Sequence, residues 1–525
     1  MHRIFRWYVV ALLLLNLAQC SSTTSNATSP VVNLETGVLE GANFGSKRNE
    51  VAFLGVPFAA PPTGELRWKP PQPASNWTGV RKAVTFGSPC PQVPAPWFQH
   101  IEGHEDCLYL NIWTTDLRPN ANRPVLVYFH GGGNTQGYSQ MTPLGPPLSR
   151  LGLVVVSANY RLGPFGFLAH PALTAESEHH SSGNYGLPDQ LQALQWVKEN
   201  IRRFRGDPDH VTVMGQSAGA VDICLLMASR LSQGLFHRAI LESGECQDTL
   251  NEDIRTPIKY NLVDTTGEGS GERLAKDLGV SRGPDFLQKL RDVPASEILK
   301  VWKNDPELHF DAIVDGWIVP KQPARIFAEG RQMRIPILVG SNSDEATVLG
   351  HNNLKTVDDY KKHLQQDTGD HSTGEFLAYP VSSDADVPIR LVQLESDEFA
   401  YGAYSIAQAM TKAGAKSYLY YFTYVDPGKR AGLGAHQGEE LFFLSDSFPS
   451  DWEHTGKDQE LGKLVPAYWV EFAKTGDPNF DSAPHWPPYK GKSPEYFELG
   501  EYSGVHRISE RVLTLESIMK EVVAQ

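Results

Sequence analysis

The chain has 525 residues, enough to bury a large core, and its 61 acidic and 47 basic residues give a formal charge of −14. It carries no basic run of the kind that tracks phosphates, so nucleic acid is not expected as a partner. No cluster of its histidines and cysteines has metal-ligand spacing, and no Gly-x-Gly-x-x-Gly follows a strand, so neither a metal nor a cofactor is expected.

At the N-terminus, His2, Arg3 and Arg6 precede an apolar run from Trp7 to Leu17. The run is too short for a good membrane span and reads as an export signal over residues 1–20. Ala18-Gln19-Cys20 offers the small residues of a cleavage site, and cleavage after Cys20 predicts a soluble secreted or periplasmic protein. Leu17-Ala18-Gln19-Cys20 also has the outline of a bacterial lipobox, and cleavage before Cys20 would leave a lipid anchor there. Residues 21–30 read as a flexible tether. Residues 31–525 read as a single α/β domain, because apolar runs alternate with amphipathic stretches and no Pro/Ser/Gly-rich linker divides them.

Export permits disulfides. Cys90 and Cys107 bracket a proline-rich loop that a bridge would staple, Cys224 reads as a buried thiol, and Cys246 has no evident partner.

The first chemical signal follows the strand Pro124–Phe129. His130-Gly131-Gly132-Gly133 has the form of a loop whose bare backbone N–H groups approach a developing negative charge. The second is Gly215-Gln216-Ser217-Ala218-Gly219, between a short apolar strand, Val211–Met214, and a helix from Ala218 to Ser229. Strand, Gly-x-Ser-x-Gly turn and helix in that order form a nucleophile elbow, which raises one serine hydroxyl above a parallel sheet. Together the two turns point to acyl transfer by a serine hydrolase.

Such a serine needs a base, and the base an orienting carboxylate, in the order serine, acid, histidine. The strand Ile335–Gly340 runs into Ser341-Asn342-Ser343-Asp344-Glu345, where two adjacent acids compete and their chemistry alone does not choose. Residues 346–400 are polar with scattered helical periodicity and read as part of the rim. After the strand Ser417–Val425, a glycine-rich loop carries His436. His454 lies farther along the same connection, and His485 in a tail that reads as packed, so His436 is the expected base.

At this point the chain resembles the type-B carboxylesterase/cholinesterase family of α/β-hydrolases. The resemblance rests on Glu105-Asp106-Cys107-Leu108-Tyr109-Leu110-Asn111-Ile112-Trp113, Asn159-Tyr160-Arg161-Leu162-Gly163-Pro164-Phe165-Gly166-Phe167, Gly183-Asn184-Tyr185-Gly186-Leu187-Pro188-Asp189-Gln190, Thr475-Gly476-Asp477-Pro478-Asn479 and the two glycine turns. It implies an α/β fold with a large central, mostly parallel sheet flanked by helices. It also implies Ser217 as nucleophile, Glu345 rather than Asp344 as acid, His436 as base, and an oxyanion hole from the N–H groups of Gly132, Gly133 and Ala218. It supports the Cys90–Cys107 bridge, suggests that Ser243 hydrogen-bonds the acid, and makes Arg67 with Glu105 and Arg161 with Asp189 structural ion pairs.

Three departures bear on specificity. Gln216 stands where cholinesterases have an acid before the nucleophile. Trp97 falls where their choline-stacking tryptophan lies, but in a shorter loop, so it reads as a rim or packing aromatic rather than a cation–π platform. Asn134, also assigned to the substrate rim, replaces an aromatic common in the family. The expected activity is a serine carboxylesterase acting on small-molecule esters through an acyl-enzyme. An interfacial lipase, a polyester or carbamate hydrolase, and a non-catalytic binding protein on the same fold are the alternatives.

Overall fold

The computed structural model describes residues 29–524 except 48, 95–101, 247–265, 350–353, 369–371, 426, 429–430 and 492. The expected export signal, Cys20, most of the tether and Trp97 therefore lie outside the described residues.

The strands in chain order are β1 (Val31–Leu34), β2 (Gly37–Glu40), β3 (Ala42–Asn43), β4 (Val51–Pro57), β5 (Val80–Lys82), β6 (Tyr109–Thr114) and β7 (Arg123–Phe129). They continue as β8 (Val154–Ala158), β9 (Gly206–Gln216), β10 (Arg238–Glu242), β11 (Ile337–Asn342), β12 (Ser417–Phe422), β13 (Glu495–Leu499) and β14 (Gly504–Arg507). Strands β1, β2 and β5 form a small sheet, and the rest an eleven-stranded sheet in the order β14-β13-β12-β11-β10-β9-β7-β8-β6-β4-β3. From β8 through β13 neighbouring strands run parallel, and the two ends of the sheet are antiparallel.

The parallel strands read as unbroken apolar runs because both of their faces are buried. In β7, Val125, Val127 and Phe129 enter one core, while Leu126 and Tyr128 enter the other. Helices Gly186–Asn200, Ala218–Ala228 and Val387–Lys412 contribute to the first core, and Gly456–Thr475 to the second. This is the mostly parallel, helix-flanked sheet that the sequence implied. The polar stretch 346–400 holds helices Val357–Thr368 and Ser372–Ala378 and the first half of Val387–Lys412.

Two ion pairs, one part-buried and one buried, pin loops near the strand ends. Arg67 contacts both oxygens of Glu105 at 2.7 and 2.5 Å, and Arg161 grips Asp189 at 2.8 and 2.7 Å. The Cys90–Cys107 bridge is present, with a Cα separation of 5.0 Å.

The expectation for the other two cysteines was wrong. Cys224 and Cys246 form a second disulfide, with Cα atoms 5.7 Å apart. Parallel neighbours β9 and β10 bring the helix after β9 beside the turn after β10, a proximity that sequence separation concealed. The tail that holds His485 packs as expected, through Trp486 stacked on Phe497 at 4.9 Å, while His485 itself is exposed. Among the described residues no helix is long and apolar enough to cross a membrane.

Candidate active site

The turns that follow β7, β9, β10, β11 and β12 carry the expected catalytic groups, and these strands are consecutive neighbours in the sheet. Loops beyond the carboxyl ends of parallel strands are where α/β folds place their chemistry.

Ser217 joins β9 to the helix Ala218–Ala228 at φ 54° and ψ −128°, a conformation few L-residues adopt. The surrounding backbone leaves room only for glycine. A Cβ on Gly215 would lie 2.4 Å from the Gly219 carbonyl, and one on Gly219 would lie 2.3 Å from the Phe129 carbonyl oxygen. The Ser217 N–H donates to the Glu242 carbonyl at 2.8 Å, and its carbonyl accepts from Ala220 and Val221 at 2.8 and 3.0 Å. The turn is thus fixed on both sides while the serine stays partly exposed.

The glycine loop packs directly on this elbow. A Cβ on Gly131 would meet the Ser217 Cβ at 2.9 Å. The Gly132 carbonyl accepts from Thr135 and Gln136, both at 3.1 Å, which curls the loop. The Tyr160 hydroxyl donates to the His130 carbonyl at 2.7 Å. Burial lowers the His130 pKa to about 4, so its ring braces the loop in the neutral form. Among the described residues the N–H groups of Gly132 and Gly133 donate no hydrogen bond, and that of Ala218 opens a helix, where it has no intrahelical acceptor. The three N–H groups assigned to the oxyanion hole are therefore unspent.

Glu345 and Asp344 face different ways. Glu345 is fully buried, and its Oε1 accepts the Asn342 N–H at 2.7 Å while Oε2 has no hydrogen-bond partner. Burial, with the charge of Glu440 next, pushes its pKa well above the usual carboxylate range; the Ser243 hydroxyl and the Asn342 N–H act in the opposite direction. Asp344 is half-buried and accepts from the Ala435 N–H at 3.1 Å, so it ties the backbone just before His436 to the end of β11.

Ser243 is wholly buried at φ 51°, and its N–H donates to the Gly340 carbonyl at 2.8 Å, which turns its hydroxyl toward the acid loop.

His436 is held by three bonds to its backbone. Its N–H donates to Glu439 at 3.1 Å, and its carbonyl accepts from the Asn342 side chain at 2.7 Å and from the Glu439 N–H at 3.1 Å. The ring Nδ1 lies 3.0 Å from the Gln437 carbonyl, and Nε2 lies 3.6 Å from Glu439 Oε2. His454 is exposed against Phe448 and sits apart from these contacts.

The assignment of Asn134 to the rim fails. At φ 53° its side chain turns inward, is 1 % exposed, and gives both amide hydrogens to carboxylates: Asp222 at 3.0 Å and Asp311 at 2.8 Å.

Sequence reasoning missed four buried acids around these groups. Glu242 accepts from the Trp469 indole at 2.7 Å, and Glu440 accepts from the Asn342 amide at 2.5 Å. Burial pushes Glu440 up to about 7 and raises Glu242 well above the usual carboxylate range. Glu439 and Asp222 complete the set. A signal existed for Asp222, an acid in the otherwise apolar Val221-Asp222-Ile223 of the elbow helix.

Comparison with known proteins identifies the family. The model of the carboxylesterase family matches residues 28–512. A fumonisin B1 esterase of Sphingopyxis macrogoltabida is 36% identical over 488 residues, covering 90% of this chain and 87% of that protein. Liver carboxylesterase 1F of Rattus norvegicus is 32% identical over 535 residues, covering 93% of each. A solved PNB esterase superposes with a TM-score of 0.78 at 28% identity, covering 94% of this chain and 100% of that one. The elbow, the bare glycine loop and a match across nearly the whole chain lead to one conclusion: the protein belongs to the carboxylesterase family and is a carboxylic ester hydrolase.

Proposed function

We propose that Ser217, His436 and Glu345 act as nucleophile, base and orienting acid in a two-step hydrolysis of carboxylic esters. The observation that carries this reading is the strained, partly exposed Ser217 in an elbow packed against a glycine loop whose N–H groups are unspent. His436 takes the Ser217 proton as the hydroxyl attacks the ester carbonyl. The N–H groups of Gly132, Gly133 and Ala218 hold the resulting oxyanion, each worth about 10²–10³ in rate. The alcohol leaves with the proton from His436, and a water activated by the same ring then releases the acid.

Glu345 Oε2, buried without a hydrogen-bond partner, is the acceptor assigned to the His436 Nδ1–H in place of the Gln437 carbonyl. Catalytic hydrogen bonds commonly tighten only when substrate is bound. Ser243 then acts through Glu345, favouring its ionised form. Two disulfides fit the export that the N-terminal sequence suggests, and we propose that the enzyme works outside the cytoplasm on small-molecule esters.

The test is turnover of p-nitrophenyl acetate, butyrate and decanoate by protein lacking residues 1–20, beside Ser217→Ala. Saturable turnover greatest at short acyl chains, and lost in Ser217→Ala, is the expected result. A preference for decanoate would favour an interfacial lipase. Absence of turnover by folded protein would refute the assignment.

A further inference from the structure

The reading of Ser217 as nucleophile leaves one neighbour of the oxyanion loop unexplained. Asp311 is solvent-exposed and borders the loop that carries Gly132 and Gly133. Its Oδ1 accepts from the Asn134 amide at 2.8 Å and from the Ala312 N–H at 2.7 Å. Asn134 directly follows Gly133, so this carboxylate stands within about 10 Å of the oxyanion donors, one residue step plus one side chain away.

The chemistry around Asp311 is one-sided. Both Asn134 hydrogens are spent on Asp222 and Asp311, and its buried Oδ1 has no hydrogen-bond partner. Asp222 is filled from the other side by the Gln190 amide at 2.5 Å. Among the described residues no Lys or Arg forms an ion pair with either acid. The other titratable groups that face the pair are Tyr160, which is buried, and the exposed His309. Asp222 is the better shielded of the two acids, pushed up to about 7 by burial with the charge of Asp311 adding to it. These groups thus offer acceptors and negative charge, with no arginine or lysine to bind an anion.

Resting on the esterase assignment, we propose that Asp311 is a specificity-determining residue that selects esters bearing a protonated amine and rejects those bearing a free carboxylate. Asn134 positions it: its amide ties the Asp311 carboxylate to Asp222 on the elbow helix, so the charge is set at a fixed distance from the nucleophile. A unit charge at this range and at an intermediate dielectric changes the relative rates for cationic and anionic partners by about tenfold to a hundredfold.

The test uses three p-nitrophenyl esters of matched length: hexanoate, 6-aminohexanoate and the monoester of adipate. The quantity read is the ratio of kcat/KM for the amino ester to that for the adipate ester, in wild type and in Asp311→Asn. Because the ratio is taken within each protein, any general change in rate cancels. We expect it to fall by about tenfold or more in Asp311→Asn; a fall of less than threefold overturns the proposal. Should Asp311→Asn fail to fold, competitive inhibition of wild type by hexylammonium and by hexanoate replaces it. Stronger inhibition by the ammonium supports the proposal, and equal or weaker inhibition overturns it. The neutral hexanoate ester separates this from the esterase assignment. If it is not hydrolysed, or is hydrolysed equally by Ser217→Ala, the catalytic reading fails and this one with it. If it is hydrolysed normally and the charge ratio does not move, only the role of Asp311 falls.

Discussion

The side-chain amide of Asn342 donates to the backbone carbonyl of His436 at 2.7 Å, while the backbone N–H of the same asparagine holds Glu345 at 2.7 Å. One residue at the end of β11 therefore sets the positions of both proposed partners of Ser217. Replacing it with leucine removes the side-chain donor to Glu440 and leaves the His436 carbonyl with the Glu439 N–H alone. Asn342→Leu is expected to lower kcat by about tenfold to a hundredfold with little change in KM, since orientation rather than ground-state binding is lost. Steady-state kinetics on p-nitrophenyl butyrate check this, and a change confined to KM would show that Asn342 does not orient the triad.

Glu345 and Asp344 give the clearest contrast in the site. Glu345→Gln keeps the shape but removes the charge that fixes the imidazole, and kcat should fall by about 10³–10⁴. Asp344→Asn retains an acceptor for the Ala435 N–H and should cost less than about tenfold, because Asp344 holds backbone rather than the base. Equal losses in the two variants would remove the basis for choosing between them.

The Cys224–Cys246 bridge joins the elbow helix to the turn that carries Ser243 and closes a loop with a sequence separation of 22. Cys224→Ala with Cys246→Ala should lower stability by about 2–4 kcal/mol in denaturant unfolding, as a bridge across a loop of that length predicts. Thiol labelling of the unfolded, unreduced protein should find none of Cys90, Cys107, Cys224 and Cys246 reactive.

Glu440 has a folded-state pKa pushed to about 7 from an ordinary 4.5 by burial. Between those values the folded protein keeps a proton that the unfolded chain has released. Its contribution to stability is therefore full below about 4.5, declines as pH rises to about 7, and is level above. Glu440→Gln carries no such proton, so its Tm relative to wild type should rise from pH 4.5 to pH 7.5. A Tm difference that stays constant over this range would count against the buried acid as the cause.

The ion pair Arg161–Asp189 is 3 % and 0 % exposed at its side chains. Asp189→Asn leaves the guanidinium uncompensated in the interior and should cost about 3–5 kcal/mol, read by urea unfolding, with little effect on KM for whatever enzyme remains folded.

Much of the frame was legible in the residues because parallel strands and tight turns leave local marks. Apolar runs such as Val125–Phe129 announced strands buried on both faces, and the clashes at Gly215 and Gly219 explain why the elbow spells itself in glycine. What stayed hidden depends on pairing across the sheet. Cys246 acquires a partner only because β10 lies beside β9, and Asn134 looked like a rim residue until its positive φ turned it toward Asp222 and Asp311. Strand ends were also misjudged. β11 extends to Asn342, past the glycine where the apolar run stops, because ladder bonds to β12 continue under polar side chains.

The sheet order β12-β11-β10-β9-β7 has a consequence for how this protein comes into being. The loop at Gly132, the elbow, the Ser243 turn and the proposed acid and base are contributed by strands spread over some three hundred residues, and each gains its position from the strand beside it. No fragment ending before His436 contains a complete site, and none containing it works until the distant parallel pairings have closed. Such long-range closures are slow relative to local structure. Hydrolytic activity is thus a late-appearing reporter of the assembled sheet, and its recovery during refolding should lag behind the return of helical signal.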